Sequence, residues 1–387
     1  MSASEQIPLA RPDLGEREEE LVLEVMRSGR LSLGPMLERF EREFAAWLGV
    51  EDVVAVSSGT TGLHLAVRAA GIEAGDEVIT SPFSFVASAN CLMYERAVPV
   101  FCDVDPVTLD LDPEAAEAAV GERTAGILPI DILGYPAAVP RLQEIAADRG
   151  LALLEDSCEA LGAVDSEGDK VGSRGVTATF AFYANKQLAT GEGGVVVPAD
   201  ASAAARMRSE RNQGRAPDMG WVDHDRVGFN YRLTDLQAAI GVAQLERLDD
   251  LLADRARVAG LYAERLGQAG AAPAGEGDPA GLVLPCADRR VERRSWFVYA
   301  LQVPRGTDRD AVAADLAERG VSAKAYMPSI HLLKPYRERF GHKPGSFPVA
   351  EDASERLLAL PFFTGMGEGQ VERVCEALEE ALQGNWT

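Results

Sequence analysis

A chain of 387 residues with 47% hydrophobic side chains is too long for one small core, and it predicts a globular protein of two units. Its formal net charge of −23 argues against nucleic acid and anionic membranes as partners, because either would repel such a surface. The same acidity leaves room for a small anionic ligand, which a local cluster of amides and arginines can hold.

The opening segment, "MSASEQIPLARPDLGEREEE", has no basic stretch followed by an apolar one, so no signal peptide is visible. "VVAVSS" then reads as a strand, and "LHLAVRAAG" as a helix with Leu63, Ala66, Val67 and Ala70 on one face. The rhythm continues with the strand "DEVITS", the helical "SFVASANCLMYER" and the strand "VPVFCDVD". After these come "AGILPID", the helix "RLQEIAADRG" and the strand "LALLEDS". The apolar run in "LALLED" does not alternate, as expected of a strand covered by helices on both faces. This pattern predicts an α/β fold, a mostly parallel sheet sandwiched by helices.

Beyond Asp156 the strands "VTATFAFY" and "GGVVVPA" have no helix between them, so the sheet is expected to be mixed there. A long helical stretch follows in "LTDLQAAIGVAQLERLDDLLADRARVAGLYAERL". The segment "GQAGAAPAGEGDPAG" reads as a loop within a second unit, which continues with the strand "WFVYALQV", the helix "RDAVAADLAERG" and a final helix from about Glu368. The expected units are residues 1–250, large, and residues 251–387, a smaller α+β unit. No apolar run is long enough to cross a bilayer. The five cysteines are scattered and odd in number, which predicts free thiols in a cytoplasmic protein. Four dispersed histidines predict no metal site.

Three motifs carry chemistry. In "SSGTTG", residues 57–62, small residues between a strand and a helix let backbone N–H groups crowd round an anion, with Ser58, Thr60 and Thr61 as further donors. Any helix start needs such a cap, so this motif alone has a bland reading. In "LLEDSCEALGA" a strand ends at Asp156, and ligands of open α/β sheets lie beyond the carboxyl ends of strands. A buried aspartate needs a cation, for which a protonated pyridine nitrogen would serve; a helix N-cap is the plain alternative. Lys186 is one of only five lysines, at the end of the run "TFAFYANKQLATGEGG". Desolvation there would make it a nucleophile toward aldehydes, although a surface lysine in a turn is the common case. Together the motifs supply anchoring, electronic tuning and covalent attachment, the three needs of pyridoxal 5'-phosphate.

At this point the chain resembles the DegT family of nucleotide-sugar aminotransferases, within the aspartate-aminotransferase fold type of pyridoxal-phosphate enzymes. The resemblance runs from "RPDLGEREEELVLEVMRSGRLSLGP" through "SSGTTGLHLAV", "GDEVITSPFSFVASAN", "EDSCEALGA", "NKQLATGEGG" and "GFNYRLTDLQAAIGVAQLERLD" to "MPSIHLLKPYRER". It implies that Lys186 forms the imine with the cofactor and then serves as the base that moves the proton. Asp156 would hold the pyridinium proton, Phe85 would stack on the ring, and Gly59, Thr60 and Thr61 would contact the phosphate. Asn230 would reach the phosphate of a partner subunit, making the active site the shared property of a homodimer.

Several positions depart from the family pattern. Glu159 stands where glutamine is usual, beside the cofactor's phenolic oxygen, although some members read "EALG" here too. Leu161 and Asp131 replace histidines, and Ala181 replaces a phosphate-binding serine, a loss of about 1 kcal/mol if nothing compensates. Ser32, Lys324, Tyr326 and His331 fall where relatives place substrate contacts, with a solvated polar rim as the alternative. Arg30 or Arg232 could meet a nucleotide diphosphate.

The implied activity is transfer of an amino group from an amino acid, by family habit L-glutamate, to the keto group of a nucleotide-linked deoxysugar. Two rivals stand beside it: a related enzyme acting on a free amino acid, and a regulatory homologue without turnover, for which Glu159 and Ala181 are the best support.

Overall fold

The computed structural model describes residues 6–136, 138–216, 223–278 and 280–385. Among these residues the first sheet has seven strands in the order β1-β7-β6-β5-β4-β2-β3. They are β1 (Val54–Val56), β2 (Glu77–Thr80), β3 (Val98–Phe101), β4 (Thr124–Leu128), β5 (Ala152–Asp156), β6 (Thr177–Ala181) and β7 (Gly194–Val197). β7 runs antiparallel to both β1 and β6, and the remaining neighbours are parallel. The sheet is therefore mixed where the helix between strands is missing, as the spacing of "VTATFAFY" and "GGVVVPA" requires.

Helices cover both faces, which is why the strands are apolar on both sides. Side chains alternate across the pleat: Val54, Val56 and Val196 enter one core, while Ala55, Val195 and Val197 enter the other. The second of these lies against α1 (Glu16–Ser28) and α2 (Pro35–Leu48) and is filled by aromatic rings, with Phe40 edge-on to Phe182 at 5.7 Å. The first core holds α3 (Gly59–Ala69) and α4 (Ala87–Tyr94). α3 is buried from Gly62 to Val67, nearly all round, and Ala70 is its exposed C-cap; the single apolar face expected of it was too narrow. Two further helices, α5 (Pro113–Ala118) and α6 (Val139–Arg149), pack Ala116, Leu142 and Ile145 against Ile79 and Ile127 of the sheet.

α7 (Ala201–Arg211) leads to a long helical stretch that is two helices, not one: α8 (Asp235–Glu246) and α9 (Leu248–Gln268). The chain breaks at Arg247, where φ is −129° and ψ 17°. Its guanidinium donates to Glu18 Oε1 at 2.9 Å and to the Asp13 carbonyl at 2.6 Å, fastening the break to the N-terminal segment.

The second sheet has the order β11-β12-β10-β9-β8. Its strands are β8 (Ala272–Pro273), β9 (Val283–Leu284), β10 (Tyr299–Gln302), β11 (Lys324–Ala325) and β12 (Leu357–Leu360). Over it lie α9, α10 (Arg309–Glu318) and α13 (Glu368–Asn385), whose Tyr262, Leu316 and Leu378 share one core with Tyr299 and Leu358. α11 (Lys334–Phe340) packs Tyr336 against Phe101 of the first sheet, and α12 (Pro348–Arg356) packs Ala350 and Ala353 in a core shared with Ala300 and Ala359 of the second. Ile7 pairs with Val321 and lies in the second sheet's core, ahead of the helices that pack on the first.

Candidate active site

The parallel strands of the first sheet all release their chains at one edge, and that edge gathers the residues singled out above. β1 ends at Val56, and α3 begins three residues later behind its N-cap Ser58. Ser58 and Thr61 form a reciprocal cap: Thr61 N donates to Ser58 Oγ at 3.2 Å, and Ser58 N donates to Thr61 Oγ1 at 3.1 Å. That pairing serves the cap and third amides and leaves Gly59 N and Thr60 N, between them, as first-turn donors suited to an anion. Gly59 is required here. A Cβ on it would lie 2.7 Å from Ala181 Cβ and 2.9 Å from Cys158 Sγ, so the cradle abuts the ends of both β5 and β6.

Asp156 is the last residue of β5 and is 4% exposed. Its carboxylate accepts from Ser88 Oγ at 2.7 Å and from Cys158 N at 3.2 Å, and Ser88 itself is held by Ser84 Oγ at 2.8 Å. Two neutral donors orient the group without neutralising it, which suits a cationic partner. Phe85 begins the same turn and is 61% exposed, a large apolar side chain free at the mouth of the site. The Cys158 thiol is pushed well above the usual cysteine range, first by loss of solvation and then by Asp156. Glu159 also raises it and Lys186 lowers it.

Lys186 leaves β6 on a turn in which its N–H donates to the Tyr183 carbonyl at 2.9 Å. Its ammonium lies 3.5 Å from Glu159 Oε1 and 3.8 Å from the centre of the Phe297 ring. Glu159 is also the acceptor for Leu133 N at 2.9 Å and for Tyr326 Oη at 3.0 Å. Leu133 reaches it with φ at +57°, a left-handed conformation costing a leucine about 1–2 kcal/mol.

Residues 293–297 bind these loops together. Ser295 N donates to the Gly134 carbonyl at 2.8 Å, and Arg293 pairs with Val164. Gln187 Nε2 donates to the Glu159 carbonyl at 2.6 Å and to Ser295 Oγ at 3.0 Å. Gly134, at φ +78°, has no space for a side chain, since a Cβ would overlap the Ser295 carbonyl.

The structure thus brings Lys186, Glu159 and Tyr326 into contact, with Asp156, Phe85 and the Gly59–Thr61 cradle on the same edge. Asn230 is exposed and sits one residue from Tyr231, whose carbonyl accepts from Ser57 N at 2.8 Å. Ser32 is exposed and pairs with Thr234 at the start of α8, and Lys324 is exposed on β11 opposite Ala359. Arg232 donates to Asn212 Oδ1 at 3.0 Å.

His331 is a correction. Expected to face substrate, it has no exposed surface; its Nε2 lies 3.0 Å from Glu351 Oε1 and its ring is edge-on to Phe347 at 4.7 Å. Burial holds its pKa below the usual histidine value, against the pull of Glu351. It braces α12 to the turn before α11. Asp131 is fully buried, with its N–H donating to the Asp156 carbonyl at 3.0 Å. Phe297, Leu133, Gln187 and Ser295 were not singled out from the sequence. Only the aromatic strand "WFVYALQV" hinted at one of them.

Among the described residues no group of His, Cys, Asp and Glu could hold a metal ion, and no helix is long and apolar enough to cross a membrane.

Comparison with known proteins places these features in a family. The sequence profile of the DegT/DnrJ/EryC1/StrS aminotransferase family matches residues 12–379. The chain is 37% identical over 385 residues to the GDP-perosamine synthase of Caulobacter vibrioides, covering 99% of this chain and all of that one. It is 35% identical to a pleiotropic regulatory protein of Geobacillus stearothermophilus, over 95% of this chain and 97% of that protein. Its fold superposes on DesV from S. venezuelae, solved in complex with a ketimine intermediate, with a TM-score of 0.86 and 33% identity, over 95% of this chain and 94% of that one.

Proposed function

The chain belongs to the DegT/DnrJ/EryC1/StrS aminotransferase family, and from that membership we propose that it moves an amino group from an amino acid, L-glutamate first, to the keto group of a nucleotide-linked deoxysugar. The observation that carries this reading is the meeting of Lys186, Asp156 and the Gly59–Thr61 cradle at one sheet edge, with Lys186 already beside a carboxylate at 3.5 Å.

The residues present fit pyridoxal phosphate. Gly59 has no room for a Cβ beside Ala181 and Cys158, which sets the start of α3 close against the ends of β5 and β6; its two first-turn amides suit a phosphate, and Asp156 is a buried carboxylate held by neutral donors. When bound, the cofactor supplies a ring that takes up the electron pair left as a proton departs the amino-bearing carbon. The protein's own part is positional. Gly59 N, Thr60 N and the Thr60 hydroxyl would bind the phosphate, while the Thr61 hydroxyl, expected there too, donates to the Ser58 carbonyl at 2.8 Å and braces the cap. Asp156 would keep the proton on the ring nitrogen, and Phe85 would cover the ring and exclude water. Lys186 Nζ would attach the cofactor and, once free, would act as general base and acid for the proton at the amino-bearing carbon and at the cofactor carbon it had held.

Asn230 is exposed on the single chain. We read it as completing the site of a second copy, in a cytoplasmic homodimer; a solution mass of one chain would count against it.

The experiment is nitrogen transfer. The protein, supplied with pyridoxal phosphate and 15N-labelled L-glutamate, is given a panel of nucleotide-linked keto sugars, GDP-linked ones first because a relative is named for such a product. Labelled nitrogen in a sugar product is the expected result. Formation of 2-oxoglutarate with no sugar labelled would reject the substrate class. No reaction of either kind would favour the regulatory reading, which the regulatory protein among its relatives keeps in view.

A further inference from the structure

Resting on that reading, we infer that Tyr326 is a positioning residue for Lys186 rather than a contact for the sugar: it and the Leu133 N–H clamp Glu159, and the clamped carboxylate aims the lysine. The two donors take opposite oxygens of the carboxylate. Tyr326 Oη donates to Oε1 at 3.0 Å and Leu133 N donates to Oε2 at 2.9 Å, which fixes the plane of the group as well as its place. The Lys186 ammonium then meets Oε1 at 3.5 Å with the Phe297 ring beneath it at 3.8 Å. Tyr326 and Phe297 face each other at 6.2 Å and belong to the second sheet's side of the molecule, whereas Leu133, Glu159 and Lys186 belong to the first. The lysine is therefore held from both sides.

Three further features support the clamp. Leu133 takes a left-handed conformation although it is a leucine and only 5% exposed, and this conformation accompanies its N–H pointing at Glu159. Burial, and next the Glu159 carboxylate, push the Tyr326 phenol well above the usual tyrosine range, so it keeps the proton it donates. Glu159 is 6% exposed, too enclosed to do without partners. A glutamine here would keep the shape of the clamp: its oxygen can accept from Leu133 N, and its amide can donate to the phenol oxygen once the hydroxyl turns away. Only the charge facing Lys186 would be lost.

The test compares full-length wild type, Tyr326→Phe, Glu159→Gln and the double variant. Each cofactor-free protein is mixed with pyridoxal phosphate, reduced with borohydride at timed intervals and analysed by mass spectrometry for cofactor fixed on Lys186. The expected result is that each single variant captures the cofactor about tenfold more slowly, the size of one lost hydrogen bond to a charged group. The double variant should be no slower than Glu159→Gln alone, because Tyr326 acts through that carboxylate. In turnover, Tyr326→Phe should lower kcat while the sugar KM stays within about twofold, since uniform substrate binding is untouched. A tenfold rise in sugar KM with capture unchanged would make Tyr326 a substrate contact and overturn the inference. Additive losses in the double variant would overturn it too. Should Tyr326→Phe fail to fold, Glu159→Gln decides alone: capture at the wild-type rate removes the carboxylate's role. If wild type itself fixes no cofactor on Lys186, the proposed function falls, and this inference with it.

Discussion

Asp156 and Lys186 could be picked out because one ends an apolar strand and the other follows one within five residues, placements that burial makes costly for a charge unless it has a use. Gly59 is as informative once seen in three dimensions. Its missing side chain is what lets α3 approach Ala181 and Cys158. Gly59→Ala should therefore press a methyl into two neighbours, lowering stability by about 1–3 kcal/mol and weakening cofactor binding at least tenfold. Urea unfolding of the cofactor-free protein and a fluorescence titration with pyridoxal phosphate would measure the two effects. Unchanged affinity would show that the cradle has slack and that the amides at 59 and 60 are not the anion site. What could not be read from the sequence was Phe297 under the lysine and the backbone turn at Leu133. The first lies more than a hundred residues away on the second sheet's side, and no local pattern makes a leucine expect a positive φ. His331 erred the other way, since a motif position in the family says nothing of which side of a turn a ring faces, and here Glu351 and Phe347 claim it.

Among the elements, strands were the most readable, because helices on both faces force them to be apolar without alternation. Helix ends were less so. The stretch from Thr234 keeps helical periodicity through Arg247, and only partners distant in sequence, Glu18 and Asp13, reveal that the helix breaks there. The start of α8 has a second task. Asp235, 1% exposed, accepts from Gly34 N at 2.8 Å and from Met36 N at 3.1 Å, capping α2 from another helix. Gly34 has no room for a side chain because that carboxylate occupies the space. Removing it in Asp235→Ala should cost about 2 kcal/mol in urea unfolding with the slope unchanged. A loss below about 0.5 kcal/mol would mean that water caps α2 equally well.

At the scale of the whole molecule, two sheets share the site: the first delivers Lys186, Asp156 and the cradle, and the second delivers Tyr326 and Phe297. Its interior is also rich in buried phenols. Burial is the leading cause that raises the pKa of Tyr135, Tyr262, Tyr299, Tyr326 and Tyr336 above the usual tyrosine value. Above about pH 10 the unfolded chain has lost phenolic protons that the folded one keeps, so unfolding releases protons and stability must fall as pH rises. Urea midpoints should begin to fall above about pH 8, where the unfolded chain loses thiol protons that the buried cysteines keep, and fall further beyond pH 10 as the phenols add to this; a flat profile to pH 11 would place these thiols and rings in water. The central claim, however, is that this edge of the sheet is a cofactor site worked by one lysine. It is met most directly by the visible absorption spectrum of the protein mixed with pyridoxal phosphate, for wild type and Lys186→Ala, before and after L-glutamate. The account predicts a visible band of lysine-bound cofactor that the variant lacks and that glutamate discharges to shorter wavelength in the wild type. A wild-type spectrum identical to that of Lys186→Ala would contradict it.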